Sequence, residues 1–283
     1  MTVSPTVPLR ALARQLLPFS MRVGLRRLPA VTKALLRPPP APKRGDAARF
    51  PHTHCERASP LRRETTIYED ALQRAKEHNV RLGASRIHGC ILAPGETFSW
   101  HAVVGPPIRL RGFRPGPELH EGRLSNGPGG GLCQVANLLY WLAVHAGLEV
   151  LERHRHDLDL FPDHERTAPF GCGATVFFPT RDLRIRNPHP WPVMLEVHVD
   201  AEHVRGAVRM PEDPGFRCEV LEVAHRFVRR DGTIWRENQL VRRTHAGGAF
   251  RDEPLSENHA RVAYVVPEHQ LELPESAVVG GTS

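Results

Sequence analysis

Cys133 follows three consecutive glycines, Gly129, Gly130 and Gly131, and opens a breaker-free run from Leu132 to Ala146. If that run is a helix, the thiol stands in its first turn, where unpaired backbone N–H groups and the positive end of the helix dipole favour a thiolate. Glycines there leave room for a substrate backbone, and the N–H groups around Gly130, Gly131 and Cys133 could hold a developing oxyanion, with Gln134 as a further side-chain donor. The acid–base partner is sought in Glu152-Arg153-His154-Arg155-His156-Asp157. In an extended chain His154 and His156 share one face and Arg153 and Arg155 the other, so either histidine could meet Cys133 across a helix–sheet interface. Asp163, Asp182 or Asn187 could orient that histidine, and the sequence does not choose among them. Papain-like peptidases share this layout, an analogy of architecture only.

Other chemistries fit less well. Cys133, His154 and His156 are zinc-ligand types, and Asp157, Asp159, Asp163, His164 and Glu165 crowd the next segment, yet neither H-E-x-x-H nor a paired-cysteine spacing occurs. No metal or other cofactor is expected. The glycine run lacks the Lys-Ser or Lys-Thr of a phosphate loop, and no G-x-S-x-G elbow is present. The alternative to a thiol enzyme is a non-catalytic module that binds a peptide in the same glycine-lined groove.

The elements that must position these residues read as follows. Thr66 and Glu69 form a capping box for a helix through Ile67, Ala71, Leu72 and Ala75 to about Asn79. The Leu132–Ala146 run is apolar nearly all round and meets Gly147 where a C-terminal cap belongs, so it reads as a buried central helix. Strand patterns then follow at 148–151, 174–178, 183–185, 193–199, 204–210, 218–227, 234–241 and 262–266. The expected class is α+β, with a central helix carrying Cys133 packed on a mainly antiparallel sheet. Residues 1–46 read as a basic, Pro-rich tail and linker, 47–210 as the core, and 211–283 as a β-rich extension of the same domain. His52-Thr53-His54-Cys55 lies beside the linker and is expected to be solvated.

Charge is unevenly placed. Of 38 Lys and Arg, nine lie before residue 46 with no acidic residue among them, which leaves 29 against 31 Asp and Glu in the body. The net charge of +7 is therefore a property of the tail, and a nucleic-acid-binding body is not expected. Leu9, Leu12, Leu16 and Leu17 share a helical face up to Pro18, giving a basic amphipathic segment suited to peripheral contact with an anionic membrane surface. Arginines interrupt every apolar run that could serve as a signal, no run of about 20 apolar residues exists, and the five cysteines form no C-x-x-C pair. The expected location is the cytoplasm, with the tail at the inner face of the membrane.

Several segments together resemble the VanW family: Pro94-Gly95-Glu96-Thr97-Phe98-Ser99, Gly129-Gly130-Gly131-Leu132-Cys133-Gln134, Asn137-Leu138, Tyr140-Trp141-Leu142, Glu152-Arg153-His154-Arg155-His156 and Phe161-Pro162-Asp163. The likeness continues through Gly173-Ala174-Thr175-Val176, Asn187, His225-Arg226-Phe227 and Arg236-Glu237-Asn238, spanning about residues 50 to 245. It implies a bacterial protein of the cell envelope, linked to glycopeptide resistance or peptidoglycan metabolism, whose partner is a cell-wall peptide or its precursor. It points to Cys133, His154 and His156 and supplies no reaction. Other branches of the family carry Asp where this chain has Gly173.

Overall fold

The computed structural model describes residues 19–37, 39–62, 70–120, 123–155, 158–159, 162–163 and 168–272. Four helices occur among them: α1 (Phe19–Leu36), α2 (Asp70–Ile87), the short α3 (Trp100–Val103) and α4 (Cys133–His145). The strands are β1 (His52–Pro60), β2 (Cys90–Leu92), β3 (Thr97–Ser99), β4 (Pro115–His120), β5 (Arg123–Pro128), β6 (Glu149–Glu152), β7 (Leu158–Asp159), β8 (Arg184–Arg186), β9 (Val193–Val199), β10 (His203–Met210), β11 (Phe216–Arg230), β12 (Thr233–Ala246), β13 (Ala249–Val262) and β14 (Leu271–Glu272). They form sheets in the orders β1-β10-β9-β2, β14-β11-β12-β13-β7 and β3-β8-β6, with β4-β5 as a hairpin. Every pair is antiparallel except β11–β14 and β13–β7, so the class is α+β with mainly antiparallel sheets.

Helix α4 is the centre of this arrangement. It buries Val135, Ala136, Leu138, Leu139, Tyr140, Leu142, Ala143 and Val144 against β1, β10, β11, β6 and α2. Gly206 on β10 permits that contact, because a Cβ there would lie 2.7 Å from Leu142 Cδ1 and 3.0 Å from Leu138 Cδ2. The helix ends as its sequence requires: Gly147 takes φ 66°, its N–H bonds the Val144 carbonyl, and the Leu148 N–H bonds the Ala143 carbonyl. These two bonds are a Schellman cap, available cheaply only to glycine at the left-handed position.

Several expectations are corrected. The first body helix runs to Ile87, well past Asn79, and its Thr66–Glu69 cap lies outside the described residues. Residues 174–178 form no strand beyond one bridge from Phe177 to Arg181, since their apolar side chains are buried as a cavity wall instead of along a ladder. A strand at 262–266 is replaced by β13 at 249–262. β13 carries Pro254 and many charges, and it is held by its ladder to β12 and by cross-strand pairs such as Arg243–Asp252 and Arg242–Glu253. His52-Thr53-His54-Cys55 is the start of β1, and His54 is 5% exposed with its ring 4.7 Å from that of Phe216. Pairing with β10 and cover from Phe216 bury an imidazole that sequence alone leaves beside a linker.

The tail also differs from expectation. Leu9 to Pro18 lie outside the described residues, but a helix follows at Phe19–Leu36 and touches β5. Chain pairing begins before Ala47, with the Ile91 N–H on the Lys43 carbonyl and the Gly45 N–H on the Gly89 carbonyl. Among the described residues no helix is long and apolar enough to cross a membrane.

Arg236 joins the long sheet to the body. Its guanidinium is 1% exposed, lies 2.6 Å from Asp163 and 3.5 Å from buried Asp159, and is sandwiched by the Phe170 and Phe227 rings at 4.8 and 5.3 Å. Truncation leaves the buried Asp159 carboxylate without this cation, with the Tyr264 hydroxyl still donating to it at 2.9 Å, so Arg236→Ala is expected to cost about 3–5 kcal/mol in urea unfolding; a loss under about 1 kcal/mol would contradict this packing. Burial also depresses the His54 pKa to about 4. Because the folded value lies below the unfolded one of about 6.5, this group's contribution is present above pH 6.5 and disappears as pH falls toward 4. Wild type should therefore lose stability over that interval more steeply than His54→Leu, and parallel pH profiles would contradict the assignment.

Candidate functional site

The N-terminal end of α4 forms one wall of a cavity of about 350 Å³. Gly129 to Gln134, Asn137 and Trp141 face the segment from Ala168 to Phe178, while Gln73 of α2, Ser59 of β1, Glu118 of β4 and His259 of β13 complete the lining. Gly130 packs so closely on Gly116 that an added Cβ would lie 2.1 Å from the Gly116 carbonyl carbon, and Gly129 and Gly131 hold φ values of 89° and 95°. The glycine run thus serves a tight turn and a close backbone approach as well as the cavity wall.

Backbone donors in this turn are partly used. The N–H groups of Gly130, Leu132 and Gln134 bond the carbonyls of Gly127, Gly129 and Gly131. Among the described residues no carbonyl takes the N–H of Gly131 or Cys133, so the donors suited to an oxyanion or a ligand carbonyl are narrower than the sequence suggests.

Cys133 donates its thiol to the Val176 carbonyl at 3.6 Å. Burial pushes its pKa up to about 11, and the nearby Glu118 carboxylate acts in the same direction. Desolvation therefore outweighs the helix-terminus effect, and the group rests as a thiol at neutral pH. The other four cysteines are free thiols as well, and their pKa values are likewise raised by burial.

His154 does not line the cavity. Its Nε2 bonds the Glu152 carboxylate at 2.9 Å, and Glu152 also accepts the Asp182 N–H at 3.3 Å. The Asp182 carboxylate takes the Ser99 hydroxyl at 2.6 Å and the His101 N–H at 2.9 Å, with His101 Nδ1 at 3.9 Å. His154 and Asp182 thus belong to a separate polar cluster beside the cavity wall, where Phe178 packs edge-on to His101 at 5.1 Å. The other candidates are also separated. Asp163 pairs with Arg236, while Asn187 bridges the Leu92 and Trp191 carbonyls and accepts the His189 N–H. His156 lies outside the described residues. Gln134 spends its amide donor on the Pro60 carbonyl at 2.6 Å and the Ser59 hydroxyl at 3.3 Å, leaving an acceptor where a donor is expected.

Sequence reasoning missed two groups. Gln73 is 8% exposed and Thr175 2% exposed, and the Gln73 Oε1 and Thr175 Oγ1 atoms, like Gln134 Oε1, are buried without a hydrogen-bond partner among the described residues. Gln73 continues the buried α2 stripe of Val80, Ala84 and Ile87, and Thr175 interrupts an apolar run, so a polar residue at an apolar position was the available signal. Among the described residues no group of three or more His, Cys, Asp or Glu is placed to hold a metal ion.

Comparison with known proteins matches residues 75–209 to a family described as "VanW like protein". Residues 75–209 of the chain are VanW-like. The chain is 27% identical over 222 residues to the vancomycin B-type resistance protein VanW of Enterococcus faecalis, covering 77% of this chain and 81% of that one. Over 131 residues it is 33% identical to the uncharacterized protein YoaR of Bacillus subtilis, covering 45% of this chain and 41% of YoaR. No solved structure matches. The VanW-like span contains α4, the Cys133 wall and the His154–Glu152–Asp182 cluster, while α1 and the β11–β13 ladder fall outside it.

Alkylation resolved by residue tests the state of Cys133 in this VanW-like fold. The rate should climb through pH 9 to 11, and near neutrality the folded chain should react roughly a hundredfold more slowly there than the unfolded chain, given two units of depressed acidity. A plateau already reached below pH 7 would mean a stabilised thiolate.

Proposed function

We propose that this VanW-like protein is a non-catalytic accessory of cell-envelope or glycopeptide-resistance metabolism, binding a cell-wall peptide or its precursor in the cavity at the start of α4. One observation carries this reading: among the described residues, the wall holds buried acceptors at Gln73, Gln134 and Thr175 without a hydrogen-bond partner, beside N–H groups at Gly131 and Cys133 that no backbone carbonyl takes. A buried polar atom without a partner costs about 1–3 kcal/mol. A peptide, which alternates N–H and C=O, meets both kinds of group. Trp100, Trp141, Phe170 and Phe177 in the same lining suit the apolar parts of such a ligand. The wall-peptide identity is an expectation from the family resemblance, in keeping with a relative in Enterococcus faecalis that is a vancomycin resistance protein.

A thiol hydrolase or acyltransferase is the second reading, favoured by the position of Cys133 in the cavity wall, in the same turn as the Gly131 and Cys133 N–H groups that no backbone carbonyl takes among the described residues. It requires a base in the cavity, and among the described residues the histidine in the lining is His259.

Calorimetric titration with a synthetic peptidoglycan stem pentapeptide separates the two. The binding reading expects saturable binding, an affinity for Cys133→Ser close to wild type, and a loss of about fivefold to tenfold for Thr175→Val, on the order of 1 kcal/mol. Thr175→Val should also unfold at a higher temperature, because its hydroxyl has no partner in the unliganded fold. Absence of saturable binding sinks the reading. A cleaved or acyl-exchanged peptide, seen by mass spectrometry with wild type and not with Cys133→Ser, replaces it with the enzyme.

A further inference from the structure

Arg27 of α1 packs against two residues that line this cavity, Glu118 and Phe177. Its Nη2 lies 3.3 Å from Glu118 Oε1, and its guanidinium carbon sits 3.6 Å above the Phe177 ring centroid. The two charged side chains are only 13% and 19% exposed, and Glu118 and Phe177 both line the cavity that holds Cys133. Gly127 makes the space for the carboxylate, since a Cβ there would lie 2.2 Å from Glu118 Oε2.

The described part of α1 beyond Arg27 buries little. Between Leu25 and Leu36 the half-buried residues are Arg27, Ala30, Val31 and Ala34, whose three small apolar side chains remove little area from water, while Leu25, Leu28, Leu35 and Leu36 are exposed. Among the described side chains of α1, the guanidinium in its carboxylate–aromatic corner is therefore the principal anchor. Burial raises the Glu118 carboxyl pKa and lowers that of Arg27, and the attraction between the two charges opposes both shifts.

We propose that the Glu118–Phe177 corner is a subsite for a cationic group of the ligand, a primary ammonium or a guanidinium, and that Arg27 fills it in the free protein, so that ligand entry releases α1. This deepens the cavity reading and rests on it for the ligand's identity, with the ammonium of a diamino residue as the matching feature of a wall peptide. The exchange of Arg27 for the ligand does not depend on that identity.

The test is hydrogen exchange of α1 in the full chain with N-acetyl-arginine amide and with its neutral isostere N-acetyl-citrulline amide. The arginine amide should speed exchange in α1 with increasing dose and the citrulline amide should not. Arg27→Gln should bind the arginine amide about tenfold more tightly than wild type, as expected when an internal occupant holds a site about nine-tenths of the time. Equal effects of the two amides, no effect of either, or no gain in affinity for Arg27→Gln overturns the proposal. Glu118→Gln should abolish the discrimination between the amides; if that variant does not fold, the Arg27→Gln comparison decides alone. Failure of the stem pentapeptide to bind, with arginine amide still releasing α1, overturns the wall-peptide reading and supports the cation corner.

Discussion

A helix that is apolar on nearly every side has to be enclosed, and α4 imposes that requirement on the rest of the chain. Satisfying it takes β1 and β10 on one side, with Gly206 cut back to admit Leu138 and Leu142, and α2, β6 and β11 on the others. Once these layers are in place, the unsatisfied N-terminal turn of α4 cannot reach open solvent as an ordinary helix end does. It opens into the cavity between 168–178 and the β4–β5 hairpin. The position of the candidate site is a consequence of burying this helix.

Enclosure also changes the chemistry of what it encloses. Water removed from around Cys133 destabilises the thiolate more than the helix terminus stabilises it, and the carboxylate of Glu118 works in the same sense. The Gln73 Oε1, Gln134 Oε1 and Thr175 Oγ1 atoms lose their water without gaining a partner among the described residues. Such groups lower the stability of the empty protein and gain most from a ligand that completes their hydrogen bonds. A cavity built in this way is better suited to recognition than to a thiolate poised for attack.

The long β11–β13 ladder follows a different logic. Much of it is exposed on both faces, so it is held by its hydrogen bonds and by cross-strand charge pairs, while Leu240, Phe216 and the buried Arg236 join it to the body. Its last strand shows little apolar alternation, which explains why β13 is invisible to a periodicity argument although β9, buried on both faces, is matched to the residue.

Local stereochemistry was readable from the sequence. The breaker-free run into Gly147 specified α4 and its cap, and the separation of charge between tail and body needed only counting. Pairing across distance was not readable. An extended strand can turn His154 toward any neighbour, and only the packed fold shows its ring held by Glu152, beside the Asp182–Ser99–His101 cluster and apart from the Cys133 cavity. In the same way α1 is legible only as a basic segment interrupted by Pro29, whereas Arg27 acquires a role when Glu118 and Phe177 are brought to meet it. Backbone preferences are properties of a few adjacent residues and so reside in the sequence. Ionisation, desolvation and partner choice depend on atoms contributed by segments far apart in the chain, and tertiary structure alone decides them.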